Sequence, residues 1–326
     1  MDITFIIQGE VFPYINLQIA EIKQYFPQSP IIISTCNKVD IKIIGADKII
    51  ISDDPGFFYY SARPGGKVNN VNRQIVTTLA GLKACQTRYA FKLRSDFFIT
   101  GNSFLDFWGK FPKSDINHQV FEHKILSCCY FARNPNSNMP FPYHPSDLAF
   151  FGRTDDLIKL FDIPLMTEKE AFWDTKNSHF INRYVPEQHI FINCLKKCGK
   201  EVLCHYYNDV SEQNITDTER YFASNFIFLS FEQFNLKPTK QTFNMKMHPN
   251  AFKSCCYTHV EWQKLYQKYV DGKIDVPQRD LEGEKIMKYY KKYKKYHFLS
   301  NLFALPFRNK AKRREIRNKV LEYFLK

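Results

Sequence analysis

The sequence predicts an α/β fold: an open mixed sheet flanked by helices, followed by a basic helical extension at the C-terminus. Three observations carry that prediction. Apolar runs of strand length alternate with runs of helical spacing through the first hundred residues. Those runs end in glycine or in charged side chains, as strands do where they leave a core at a ligand-bearing edge. The chain has 326 residues, 44% apolar and 16% aromatic, which is enough for a sizeable core and too apolar for a disordered chain.

The first strand is "ITFIIQG", closed by Gly9. "INLQIAEIKQYFP" follows with Ile15, Ile19, Ile22 and Phe26 on one helical face, then the strand "PIIISTC". A third strand, "ADKIIISDD", ends in Asp53 and Asp54. Gly65 and Gly66 make a flexible approach to a helix over about residues 71–85, capped by Asn69 or Asn70 and packed through Ile75, Leu79 and Leu82. Next comes "YAFKLRSDFFITG", in which Lys92, Arg94 and Asp96 alternate with Phe91 and Leu93, a period-two strand that carries charge out of the core. A helix at "SFLDFWGKF" and strands at "HKILSCCYFA" and "LAFFGR" follow, the two strands separated by the Pro- and Asn-rich loop "RNPNSNMPFPYHPSD", long enough to cover a site. "TDDLIKLFDI" reads as a helix. So does "VPEQHIFINCLKKCGK", with Pro186 and Glu187 in its first turn and Gly199 past its end. Strands are expected at "VLCHYY" and "FIFLSF".

Several classes are excluded. No run approaches the roughly 18 apolar residues of a membrane span, and the acidic start "MDITFIIQGE" is not a secretory leader. Nine scattered cysteines read as reduced and mostly buried, which fits the cytosol; Cys194 and Cys198 would bind metal only if Cys204 and His205 joined them. Residues 285–326 hold fourteen Lys and Arg against two Glu, out of a net charge of +13, so the preceding body is near neutral.

The candidate site is the carboxyl edge of the sheet, where Gly9, Glu10, Asp53, Asp54 and Asp96 would lie together, with Gln8 among the donor-binding residues. Asn72 and Arg73 belong to a helix start whose free N–H groups suit phosphate; the alternative for Arg73 is a solvated helix residue. Lys92 and Arg94 supply cations, and Asp96 is a hard oxygen ligand for a divalent ion on a diphosphate. The alternative for Asp96 is an ion pair with Arg94 or a loop cap.

The run "NRQIVTTLAGLKACQTRYAFKLRSDFF" resembles the WavE lipopolysaccharide-synthesis family and, more distantly, nucleotide-sugar transferases of the GT-A type; the likeness recurs weakly in "HPSDLAFFG" and "VPEQHIF". The resemblance implies a GT-A-like, Rossmann-type sheet over residues 1–240, with a donor half at 1–101 and an acceptor half at 102–240. A linking segment at 241–284 and an amphipathic tail at 285–326 follow. It implies Mn²⁺ or Mg²⁺ at Asp96, the final position of an Asp-x-Asp motif whose first Asp is here Arg94. That departure leaves Arg94 and Lys92 able to neutralise the diphosphate directly. Asp53 and Asp54 would meet the nucleobase or ribose. Glu187 is preferred as the base that takes the acceptor proton, with Asp147 as the second candidate or a ligand for acceptor hydroxyls or metal. His248 and His259 are possible late metal ligands.

The implied reaction is sugar transfer from a nucleoside-diphosphate donor to a lipopolysaccharide, lipooligosaccharide or capsule glycan, on an oligosaccharide or lipid-linked acceptor. The aromatic, Lys-rich tail would hold the protein peripherally on the inner face of the cytoplasmic membrane. The same tail could instead fold back on the body or bind nucleic acid; the absence of any zinc-finger, RNP-like or helix-turn-helix pattern disfavours nucleic acid. A transferase-like scaffold that only binds glycan is the remaining alternative.

Overall fold

Six consecutive buried residues, Ile3–Gln8, form the central strand β1 of the computed structural model, which describes residues 1–59, 68–173, 182–239 and 254–325. A strand with no solvated face needs cover on both sides and a partner at each edge. The partners are the parallel strands β2 (Ile31–Thr35) and β6 (Tyr89–Arg94), which set Ile31 and Phe91 on either side of Phe5. β3 (Lys48–Ile51) extends the sheet past β2. Past β6 come β9 (Ala149–Arg153), β8 (Ile125–Cys128) and β10 (Phe226–Leu229), giving a seven-stranded order β3-β2-β1-β6-β9-β8-β10. β9 is antiparallel to both its neighbours while every other pairing is parallel, so its amino end shares an edge with the carboxyl ends of the rest. Two small ladders complete the strands: β4 (Phe58–Tyr59) with β5 (Val68–Asn69), and β7 (Phe97–Ile99) with β11 (Leu236–Pro238).

Helix α1 (Ile15–Tyr25) buries Ile15, Ile19 and Ile22, the face its spacing predicts. Helix α2 (Val71–Lys83) starts where Asn69 Oδ1 accepts the Val71 N–H at 3.0 Å, and it packs on β1 and β2. Its approach to the sheet depends on Gly81: a Cβ there would sit 2.5 Å from Ile6 Cγ2 and 3.3 Å from Ser34 Cβ. On the opposite face of the sheet Phe91 anchors an aromatic cluster, 5.2 Å from Phe5, 5.0 Å from Phe104 and 5.3 Å from Phe234 between ring centroids. "SFLDFWGKF" is only a 3₁₀ turn, Ser103–Phe107: Asn235 Oδ1 accepts the Phe104 N–H at 3.0 Å at its start, and the chain leaves it through extended Trp108, ψ 124°, and left-handed Gly109, φ 75°.

α3 (Thr154–Phe161), α4 (Glu168–Ala171), α5 (Pro186–Lys197) and α6 (Glu212–Asn225) follow in the second half. "VLCHYY" forms no strand. Its carbonyls go to side chains instead of a ladder, Cys204 O to the Tyr184 hydroxyl at 2.6 Å and Tyr207 O to Gln188 Nε2 at 2.8 Å. α7 (His259–Tyr269), in the expected linking segment, belongs to the core: Trp262 is fully buried and donates to Phe222 O at 3.2 Å. The tail forms α8 (Leu281–Ala304) and α9 (Lys310–Leu325), which pack on each other. Among the described residues no helix is long and apolar enough to cross a membrane.

Gly81→Ala should destabilise the fold by about 1–3 kcal/mol, because overpacking against Ile6 outweighs the gain in helix propensity. Urea denaturation would read this as a lower midpoint with an unchanged slope.

Candidate active site at the carboxyl edge of the sheet

The alternation in "FKLRSD" is what places the charges. Lys92 and Arg94 leave β6 on one face while Phe91 and Leu93 fill the other. Lys92 is fully buried between Phe150 and Phe161, and its ammonium donates to Asp147 O at 2.5 Å. Burial pulls that ammonium down to about 7. Arg94 is next on the same face. Its Nε and a terminal N–H clamp both oxygens of Asp96 at 3.0 and 2.7 Å, and another terminal nitrogen lies 3.7 Å from Asp147 Oδ1. Asp96 is 3% exposed, so the group of this pair that meets solvent is the guanidinium. The reading of Asp96 as the ion-pair partner of Arg94 is therefore what the structure shows for its immediate contacts.

Antiparallel β9 delivers the second half of the site. The loop before it, "HPSD", ends at this edge, with Gln74 Nε2 of α2 on Asp147 Oδ2 at 2.9 Å and Asp147 Oδ1 buried without a hydrogen-bond partner. His144, in the same loop, puts Nε2 3.4 Å from Glu187 Oε2 at the first turn of α5. Gln188 locks that turn in place, donating to Pro142 O at 2.7 Å and to Tyr207 O at 2.8 Å. The loop backbone is strained here: Phe131 and Tyr143 both have positive φ, 71° and 54°. Between them the Arg133 guanidinium stacks on Phe131 and Phe141, and the Arg133 backbone N–H donates to His144 O at 2.9 Å. Burial pushes the Glu187 carboxyl up to about 8, with the Asp147 charge adding to it, against the partial relief of a backbone hydrogen bond and of Arg133 and Arg94. Burial and Arg133 hold the His144 ring well below the ordinary imidazole range, so it is neutral.

Of the predicted residues, Lys92, Arg94, Asp96, Asp147 and Glu187 come together. The others take separate places. Gln8 donates to Thr77 Oγ1 at 2.9 Å, and Gly9 turns the chain at φ 124° beside Ser95. Asn72 is spent on the Met166 backbone, donating to its carbonyl at 3.0 Å and accepting its N–H at 2.7 Å. Arg73 forms a bidentate pair with Asp54 at 2.7 and 2.6 Å and lies over Phe57, while Asp53 is exposed beside it. That pair lowers the Asp54 carboxyl and raises the Arg73 guanidinium. His259 is a core residue, its Nδ1 2.7 Å from Phe228 O. Gly65, Gly66 and His248 lie outside the described residues.

Gln74, Arg133 and His144 complete the cluster and were not singled out from the sequence. Arg133 had a signal, a lone cation closing the apolar run "CCYFAR"; Gln74 and His144 had none beyond their nearness to Asn72 and Asp147. At Asp96, Arg94 takes both carboxylate oxygens, and the described residues, which do not include His248, contain no group of three His, Cys, Asp or Glu able to hold a metal.

Fold and cluster define an α/β protein with a buried group of charged side chains on the carboxyl edge of an open sheet. The chain belongs to the WavE lipopolysaccharide synthesis family, which it matches over residues 3–296. No curated protein matches it in sequence. Among solved structures it is similar to an active-site mutant of LgtC, with 10% identity and a TM-score of 0.32 over 87% of this chain and all of the other, a likeness too slight to carry an argument about the site.

A carboxyl raised on folding contributes stability below its unfolded value, and that stability drains away as pH rises through about 8. Glu187→Gln should therefore gain stability relative to the parent progressively from about pH 5 to 8 and level off above it. Melting temperatures of both proteins across that range would show the crossing; parallel curves would refute the buried carboxyl.

Proposed function

We propose that this protein is a glycosyltransferase that moves a sugar from a nucleoside-diphosphate donor to a lipopolysaccharide, lipooligosaccharide or capsule glycan. The observation that carries the reading is the Glu187 carboxyl, raised by burial at a helix start and facing the Arg94–Asp147 pair at the end of β6. Membership in a lipopolysaccharide-synthesis family supports the glycan as acceptor.

In this reading the acceptor hydroxyl oxygen bonds to the anomeric carbon as the bond from that carbon to the diphosphate breaks. The hydroxyl proton passes to Glu187, and the electron pair of the broken bond leaves with the diphosphate. Arg94 meets the developing charge, since a planar guanidinium suits phosphate oxygens and Asp96 and Asp147 fix its orientation. Lys92 is a positioning residue: its ammonium ties the Asp147 loop to β6 and is closed to substrate. Asp147 Oδ1, buried without a hydrogen bond and 3.7 Å from Arg94, is the acceptor-side group. Asp53, exposed beside the Arg73–Asp54 pair, would meet the donor's nucleoside end. The reaction would run at the inner face of the cytoplasmic membrane, because a charged donor stays in the aqueous phase and a lipid-linked acceptor in the bilayer.

Glu187→Gln should lower kcat by about 10²–10⁴ with little change in donor KM, the range expected for losing a general base. The parent's kcat should rise with pH towards about 8, where Glu187 ionises, and the variant's should not. Arg94→Ala should raise donor KM and lower kcat together. Wild-type turnover of nucleotide sugars by both variants would overturn the assignment.

Chelation separates the two ways of neutralising a diphosphate. Turnover is expected to survive EDTA, with Arg94 carrying the charge; loss in EDTA and recovery with Mn²⁺ would assign that task to an ion brought in with the donor.

A further inference from the structure

The tail is a helical hairpin. Tyr296 of α8 stacks on Phe324 of α9 at 4.6 Å, and Asn301 Oδ1 accepts from Arg317 at 3.4 Å, so residues later in one helix meet residues earlier in the other. Small and apolar residues, Ser300, Ala304 and Leu321, are buried in the seam. The apolar residues near the turn point the other way. Phe298, Leu302 and Leu305 recur at helical spacing with Phe303 beside them, and they are 65%, 46%, 64% and 58% exposed in that order. Immediately past the turn Arg308, Lys310, Lys312, Arg313 and Arg314 are all exposed, and the first acidic residue after them, Glu315, is already paired with Lys312 and Lys319.

Large exposed apolar side chains gathered at one tip, next to a run of unburied cations, mark a contact surface. We propose that the apex of the α8–α9 hairpin inserts into an anionic bilayer surface, with Phe298, Leu302, Phe303 and Leu305 at the headgroup boundary and the cations of residues 308–314 on the lipid phosphates. This differs from a single helix lying flat on the membrane, the form the sequence suggests, because the two helices bury their seam in each other and leave only the apex free.

The root of the hairpin gives the contact a use. Asn138 donates to the Tyr290 hydroxyl at 2.6 Å, and Thr258 donates to Asp280, the N-cap of α8, at 2.5 Å. Asn138 belongs to the same loop that supplies Arg133, His144 and Asp147. From Tyr290 to Leu305 the helix runs about 22 Å at 1.5 Å per residue. Insertion of the apex therefore tethers the acceptor side of the cluster within reach of a lipid-linked glycan. That use rests on the transferase reading, whereas the membrane contact does not.

Co-sedimentation of the full chain with phosphatidylglycerol/phosphatidylethanolamine vesicles tests the contact directly. The parent should bind these vesicles, should not bind phosphatidylcholine vesicles, and should release as salt is raised. The triple variant Phe298→Ser, Leu302→Ser, Phe303→Ser alters only exposed positions and should lose about tenfold or more in partitioning, with an unchanged far-UV spectrum. Lys312→Gln, Arg313→Gln, Arg314→Gln should bind more weakly and with a shallower salt dependence. Parent-like sedimentation of the serine variant would overturn apex insertion. So would equal binding to phosphatidylcholine, or binding of an RNA oligonucleotide with no binding to vesicles. Nucleotide-sugar turnover measured on the same samples with a soluble glycan keeps the two readings apart: vesicle binding without turnover removes the transferase and leaves the apex contact standing.

Discussion

The antiparallel pairing of β9 on β6 is the constraint from which the rest of the site follows. Leu93 lies opposite Ala149, and the Arg94 N–H meets Leu148 O at 3.1 Å. Because β9 runs against the sheet, the loop that precedes it arrives at the edge where β6 ends. A parallel β9 would leave Asp147 and His144 at the far edge, separated from Arg94 by the length of a strand. The register also decides the chemistry. Lys92 sits opposite Phe150 and so emerges directly beneath the carbonyl of Asp147, where its ammonium replaces the water it has lost.

Charge balance in the cluster is achieved inside a nearly closed volume. Arg94, Arg133 and Lys92 face Asp96, Asp147 and Glu187, and none of these side chains is widely open to solvent. Burial weakens each charged form, so the groups least compensated move furthest: Glu187 up and Lys92 down. Arg94 clamps both oxygens of Asp96. The result is one strongly held cation at the mouth and one carboxyl of unusual basicity behind it, the division of labour that group transfer with a charged leaving group needs. Such an arrangement works against stability, and the surrounding order shows where compensation lies. Gln188 and Gln74 brace the loop, and the Phe91 cluster fills the opposite face of the sheet.

The tail stands apart from this chemistry in both charge and packing. Most of the net charge of +13 resides in two helices that bury little beyond their mutual seam, while the body is near neutral. Electrostatic attraction to an extended anionic surface and recognition of a small diphosphate are thus assigned to different parts of the chain. The connection between them is short, running from the α8 N-cap at Asp280 to Thr258 and from Tyr290 to Asn138.

Local pattern was enough to determine the elements whose signals are local. The continuous apolar runs of β1, β2, β9 and β10, the buried face of α1, the Pro186 start of α5 and the charge alternation along "FKLRSD" in β6 are all features of a few adjacent residues, which the chain carries whatever its partners. The 3₁₀ turn at Ser103–Phe107 ends where Trp108 goes extended and Gly109 turns left-handed, and the unpaired "VLCHYY" segment departed from pattern because side chains remote in sequence, Tyr184 and Gln188, claimed its carbonyls. The site divides in the same way. Lys92, Arg94 and Asp96 could be read from one strand, and Glu187 from a helix start. That Arg94 would clamp Asp96, that Asn72 and Arg73 would turn to Met166 and Asp54, and that Gln74, Arg133 and His144 would join the cluster depended on strand order and direction. Those are properties of long-range pairing, and no local period encodes them.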